Sequence, residues 1–168
     1  KTQLLRIAGL PLDGLVLYDI HDEADRNPTE RPFPFIETVD PVIYANQYLN
    51  ETNLPKVTYR CVGKYATGSF VKWLSSADNK TCAVFVGAAS QEQKISLTLA
   101  DAYRLRKEIN PALMLGGVAI PERHQKHHNE HIRVINKISE GCDFFVTQAV
   151  YNVEASKNFI SEYYYYAK

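Results

Sequence analysis

Short apolar runs alternate with amphipathic stretches along the whole chain. The runs are Leu15–Tyr18, Lys56–Val62, Cys82–Gly87, Leu113–Val118 and Asp143–Gln148. Each is bounded by turn residues and rich in β-branched or aromatic side chains, which predicts strands. Their apolar character is nearly continuous rather than alternating, the mark of strands covered on both faces and hence of a parallel sheet. Between them lie helical patterns. Asp40-Pro41 is an N-cap followed by proline at the first helical turn, and Ile43, Tyr44, Gln47 and Tyr48 continue it on one face. Further helices are expected over Ser69–Ser76, from Ser96 to Asn110-Pro111, from Asn129 to Glu140 with Ile132, Ile135 and Ile138 inward and Gly141 as cap, and from Val153 through Tyr163–Tyr166.

The chain therefore reads as a leading helix and five βα units in a single α/β domain over residues 1–168. Two architectures share this pattern. One is an open doubly wound sheet. The other is a (β/α)8 TIM-type barrel, incomplete here because a full barrel takes about 250 residues. In both, functional side chains gather beyond the C-terminal ends of the strands. Five parallel strands would bring those ends to one mouth.

Lysine plus arginine and aspartate plus glutamate both number 19, so the formal charge is zero. That balance argues against a nucleic-acid or anionic-membrane partner, which calls for a basic surplus. No apolar run approaches the roughly 20 residues of a spanning helix. Cys61, Cys82 and Cys142 lie in or beside apolar runs, which suits buried free thiols in a reducing, cytoplasmic compartment.

The strand ends supply the candidate chemistry. After the first comes a long polar loop from Tyr18-Asp19 through Arg31 to Phe35, longer than most such connections. Asp19 and Arg31 are candidate substrate contacts. After the third, Gly87-Ala88-Ala89-Ser90 would let a ligand approach the backbone, or let strand and helix pack tightly. After the fourth, Gly116-Gly117 marks a close backbone approach by ligand or neighbouring strand, and Glu122 and His124 bring acid/base groups. His124, His127, His128 and His131 lack the HExxH spacing and sit in a polar segment expected to be exposed, so no metal is assigned. After the fifth, Gln148 closes a strand expected to be buried, where its amide needs a partner and a ligand would supply one. The tyrosine run Tyr163–Tyr166 suits a surface or an interface and allows a homo-oligomer.

The stretch Gly117-Val-Ala-Ile-Pro-Glu-Arg-His124, the helix with Lys137, Glu140-Gly-Cys-Asp-Phe-Phe-Val-Thr-Gln148 and Val153-Glu154 resemble the methylenetetrahydrofolate reductase family. The resemblance implies a flavoprotein (β/α)8 barrel of one-carbon metabolism and methionine biosynthesis. It would carry hydride from NAD(P)H through FAD to a folate substrate. It further implies Gln148 and Glu122 as catalytic residues. Tyr18, Gly87, Ala88, His124, Glu130 and Lys137 would contact the cofactor, and Asp19, Arg31, Gln148 and Tyr151 the folate. Val86-Gly87-Ala88 stands where the family has arginine-glycine-aspartate. This favours an alternative, a non-catalytic folate- or nucleotide-binding relative.

Overall fold

Leu15–Leu17 (β1), Lys56–Cys61 (β2) and Thr81–Val86 (β3) pair in parallel, β1 with β2 and β2 with β3. The computed structural model describes residues 6, 9–20, 32, 33, 36, 38–78, 81–87 and 95–168. The chain forms two compact units, Lys1–Leu113 and Met114–Lys168.

In the first unit, Pro41–Tyr48 (α1), Thr67–Ser76 (α2) and Leu99–Ile109 (α3) accompany the three strands. Asp40 caps α1 as its sequence predicts: one carboxylate oxygen accepts from the Val42 and Ile43 amides at 2.8 and 3.2 Å. Thr98 caps α3 through the Asp101 amide. Asn110 ends α3 and donates to the Leu74 and Ala77 carbonyls at 3.0 and 2.9 Å, so it satisfies the open C-terminus of α2 as well. The core is aromatic. Phe70 and Phe85 lie 5.3 Å apart edge to face, Trp73 sits 6.0 Å from Phe85, and Tyr103 stacks against Phe85 at 6.1 Å. Such pairs add to burial when offset or edge-on.

In the second unit, Met114–Ala119 (β4) pairs in parallel with Phe144–Thr147 (β5). Pro121–His127 (α4), Glu130–Ser139 (α5) and Val153–Tyr166 (α6) complete it. Gly141 has φ 97, the left-handed turn that ends α5 and favours glycine. Asp143 accepts from the Leu115 amide at 2.9 Å and fixes the entry to β5.

Within each unit consecutive strands are neighbours and parallel, with no reversal of order, so an α/β fold with parallel strands is present. Three features depart from the sequence reading. The run Pro121–His127 forms a helix that was not predicted, with proline tolerated at its first turn. β1 and β5 are not covered on both faces: Val16 is 45% exposed, and β5 is only half-buried. Finally, α5 does not turn Ile132 and Ile138 inward; these are exposed, and it buries Glu130, His131 and Val134 instead. The reason lies in two polar anchors. Glu130 accepts from the Ile120 amide at 2.9 Å and the Lys137 ammonium bonds the Val118 carbonyl, so the helix is rotated with these groups toward β4.

Candidate functional site

The C-terminal ends of β1 and β2 are joined by Asp19. Its side chain has no exposed surface. One oxygen accepts from the Cys61 amide and the Tyr65 hydroxyl, each at 2.8 Å, and the other from the Lys64 ammonium at 2.8 Å. A carboxylate with three donors is satisfied without a ligand, so Asp19 holds the two strand ends together. Burial raises the Tyr65 hydroxyl well above its usual pKa, Arg60 opposing and Asp19 reinforcing. Tyr18, by contrast, is 59% exposed. Its ring lies 4.6 Å from that of Tyr59, whose hydroxyl is pushed up to about 12, first by burial and then by Tyr18. Gly87 follows β3; a Cβ there would meet Leu99 at an ordinary 3.8 Å, so packing does not demand glycine. Arg31 and Ala88 lie outside the described residues.

Arg60 was not among the predicted residues, yet it organises the same unit. Its guanidinium is buried, donates to Asp40 at 2.7 Å and lies over the Tyr65 and Trp73 rings at 3.8 and 4.6 Å. Burial alone would raise the Asp40 carboxyl, but the Arg60 charge and the two cap amides outweigh it and hold the group below its usual value. At the opposite, N-terminal end of β2 and β3 lies a cleft of about 690 Å³, lined by Asn46, Asn53, Lys56, Trp73, Asp78 and their neighbours. Nothing in the run of residues singles it out, because it forms only where α1, α2 and the strand starts meet.

In the second unit, the end of β4 and the end of β5 meet through the backbone: the Gln148 amide donates to the Ala119 carbonyl at 3.0 Å. Glu122 reaches across to the segment after β5 and accepts from the Tyr151 and Asn152 amides at 2.8 and 3.3 Å. The Tyr151 amide, foremost, keeps the Glu122 carboxyl below its usual pKa. Glu122, Gln148 and Tyr151 therefore share one strand-end surface. Gln148 lies just past β5 and is exposed, and Tyr151 is 88% exposed. The expectation that Gln148 is buried is corrected, since β5 is itself half-open.

The remaining predicted residues face inward. Glu130 has no exposed surface and binds the Ile120 amide, with Arg123 3.5 Å from its other oxygen. Burial pulls the Lys137 ammonium below its usual pKa, Glu130 opposing. Gly117 is required by this packing: a Cβ would stand 2.9 Å from the Phe145 ring and 3.2 Å from Lys137. The close approach read from the diglycine is thus made by side chains of the same unit. His124 is 1% exposed and packed between helices. Glu130, Lys137 and His124 do not fit a flavin-contacting set, because their polar atoms point into the unit. Two of the histidines expected to be exposed, His124 and His131, are buried, since the helix α4 folds back against α5 and α6. No helix among the described residues is long and apolar enough to cross a membrane.

No protein-family model matches the chain, and no curated protein does. Among the solved structures to which the chain is similar is one that matches over 99% of this chain at 49% identity, with a TM-score of 0.83. It is described as an uncharacterized protein from Clostridium thermocellum that binds two copies of 5-methyl-5,6,7,8-tetrahydrofolic acid. This chain spans 52% of its length. The resemblance to methylenetetrahydrofolate reductases is overturned: the short motif around Pro121-Glu122 and Thr147-Gln148 matches no family model, whereas nearly the whole chain aligns with this folate-binding protein of uncharacterized activity.

Proposed function

We propose that the chain is part of a protein that binds a reduced folate of the methyltetrahydrofolate type. The observation that carries this reading is the 49% identity over 99% of the chain to a protein that binds 5-methyltetrahydrofolic acid. The surface shared by Gln148, Tyr151 and Glu122 fits such a ligand. A pterin is a planar ring edged with donors and acceptors; an exposed amide can pair with that edge, and an exposed phenol ring can stack on its face. We also infer that the consecutive parallel strands are a strip of a (β/α)8 barrel, which places this surface at the end where barrels bind ligands.

The test is a calorimetric titration of the protein with 5-methyltetrahydrofolate. Saturable binding is expected, weakened roughly tenfold, about 1.4 kcal/mol, by Gln148→Ala and again by Tyr151→Ala. Asn46→Ala, in the cleft at the other strand end, serves as the comparison. Loss of binding in Asn46→Ala with Gln148→Ala unaffected would move the ligand to that cleft. No saturable binding by the unaltered protein would end the folate reading.

A further inference from the structure

Helices α4, α5 and α6 bring His124, His128, His131 and Glu162 into one cluster. His124 and His131 are 1% and 2% exposed, and neither ring nitrogen of either has a hydrogen-bond partner. Glu162 lies at ion-pair distance from both, 3.5 Å from His124 Nε2 and 3.3 Å from His131 Nδ1, but in geometry that makes no hydrogen bond. Donor atoms of His124, His128 and Glu162 all lie within 4.8 Å of one another. Buried polar atoms are ordinarily paired, and leaving them unpaired is costly. The His124 and His131 rings lie 5.4 Å apart, centroid to centroid. A single cation held by lone pairs of His124 and His128 and by the Glu162 carboxylate would give the buried His124 ring the partner it lacks.

We propose that His124, His128 and Glu162 bind a divalent first-row transition-metal ion, zinc or ferrous iron, and that His131 positions Glu162 through its second oxygen. Two imidazoles and a carboxylate suit these ions, whereas calcium and magnesium prefer oxygen donors throughout. Around a tetrahedral ion at ~2.0–2.1 Å the donor atoms stand about 3.3 Å apart. Side-chain rotation can close the remaining gap, because His128 is exposed and the Glu162 side chain is 39% exposed. His128 itself adopts a left-handed conformation, φ 46, that ends α4, and its ring stands 5.6 Å from that of His124. Three protein ligands leave a coordination position for water or a substrate atom. His131 Nδ1, 3.3 Å from the second Glu162 oxygen, stands where an outer-shell group orients a metal-binding carboxylate.

The site is tested on the full chain, stripped with a chelator and titrated with Zn²⁺ and, without oxygen, with Fe²⁺ against a chromophoric competitor. One equivalent is expected to bind and to raise the melting temperature, with Zn²⁺ the tighter of the two as divalent ions rank at nitrogen and oxygen donors. His128→Ala, at an exposed position, should fold normally and lose at least the roughly 10–100-fold seen on removing a supporting group. His127→Ala, exposed and outside the cluster, should bind as the unaltered chain does. His124→Ala is a poor probe because burial makes its folding doubtful. Co²⁺ absorption therefore gives the second readout, with ligand-field bands present in the unaltered chain and absent from His128→Ala at unchanged circular dichroism. Failure of the unaltered chain to bind one equivalent of either ion, or equal binding by the His127 and His128 variants, would overturn the proposal. Neither result bears on folate binding.

Discussion

The Asp19 carboxylate stands 2.8 Å from the Lys64 ammonium, with no exposed surface of its own and with Tyr65 and Cys61 on its other oxygen. This residue, expected at a substrate, is a buried joint between the ends of β1 and β2. Removing one member of a buried pair leaves the other charge uncompensated, at about 3–5 kcal/mol. Asp19→Ala should therefore lower unfolding free energy by roughly that amount in a urea titration. Lys64→Met, by keeping the stem and removing the charge, should cost less once Asp19 is also replaced by Asn. A double-mutant cycle showing no coupling between positions 19 and 64 would contradict the joint.

Asp40 combines two roles, cap of α1 and partner of Arg60. An N-cap is worth about 0.5–2 kcal/mol, and a buried guanidinium without its partner costs more. Asp40→Ala is expected to destabilise by more than a cap alone, about 3 kcal/mol. Asp40→Asn, which keeps the cap oxygen, should recover the cap share only. The pH dependence has a defined sign. The Asp40 carboxyl is held below its ordinary value of 3.8, so its stabilisation is present above the unfolded value and is lost as pH falls through the folded one. Acid titrations of the unaltered protein and Asp40→Asn should converge in that range.

Gly117 lies under the Phe145 ring. Gly117→Ala would place a methyl 2.9 Å from that ring, and overpacking of this kind costs about 1–3 kcal/mol. Adding Phe145→Leu should recover part of the loss by making room. Thermal denaturation of the single and double variants measures this. A neutral Gly117→Ala would show that the ring moves aside freely.

Glu122 pins the segment after β5 through two amides. Its carboxyl is depressed below 4.5, so the pinning holds above the ordinary carboxylate range and fades as pH falls through the depressed value. Hydrogen exchange at the Tyr151 amide should be slow at neutral pH, normalised for intrinsic rates, and lose protection in acid. Glu122→Ala should lose it at all pH values. Protection that is equal in the variant would remove Glu122 from this role.

Much of the fold was legible in the chain because local physics writes it there. The Asp40-Pro41 start of α1 and the Gly141 end of α5 depend on groups within a turn or two of each other. The apolar runs predicted all five strands within a residue or two at each end, and their continuity predicted parallel pairing. The candidate site was less legible. Glu122, Gln148 and Tyr151 were picked by position beyond strand ends, and the structure does bring them onto one surface. Asp19 was picked by the same rule, and Glu130 and Lys137 through the family resemblance, but all three turn inward, because polarity alone does not say whether a buried partner is waiting.

By itself the sequence determined which segments are strands, which are helices apart from α4, where several of them start and stop, and that neighbouring strands within each unit run parallel. Only tertiary structure decided that α5 turns Glu130 and His131 inward, that Asp19 is consumed by Lys64 and Tyr65, and that Glu162 of α6 meets His124 and His131. The division is physical. Caps and periodicity depend on neighbours along the chain, whereas the partner of a buried charge is supplied by a distant segment and exists only after the elements have packed.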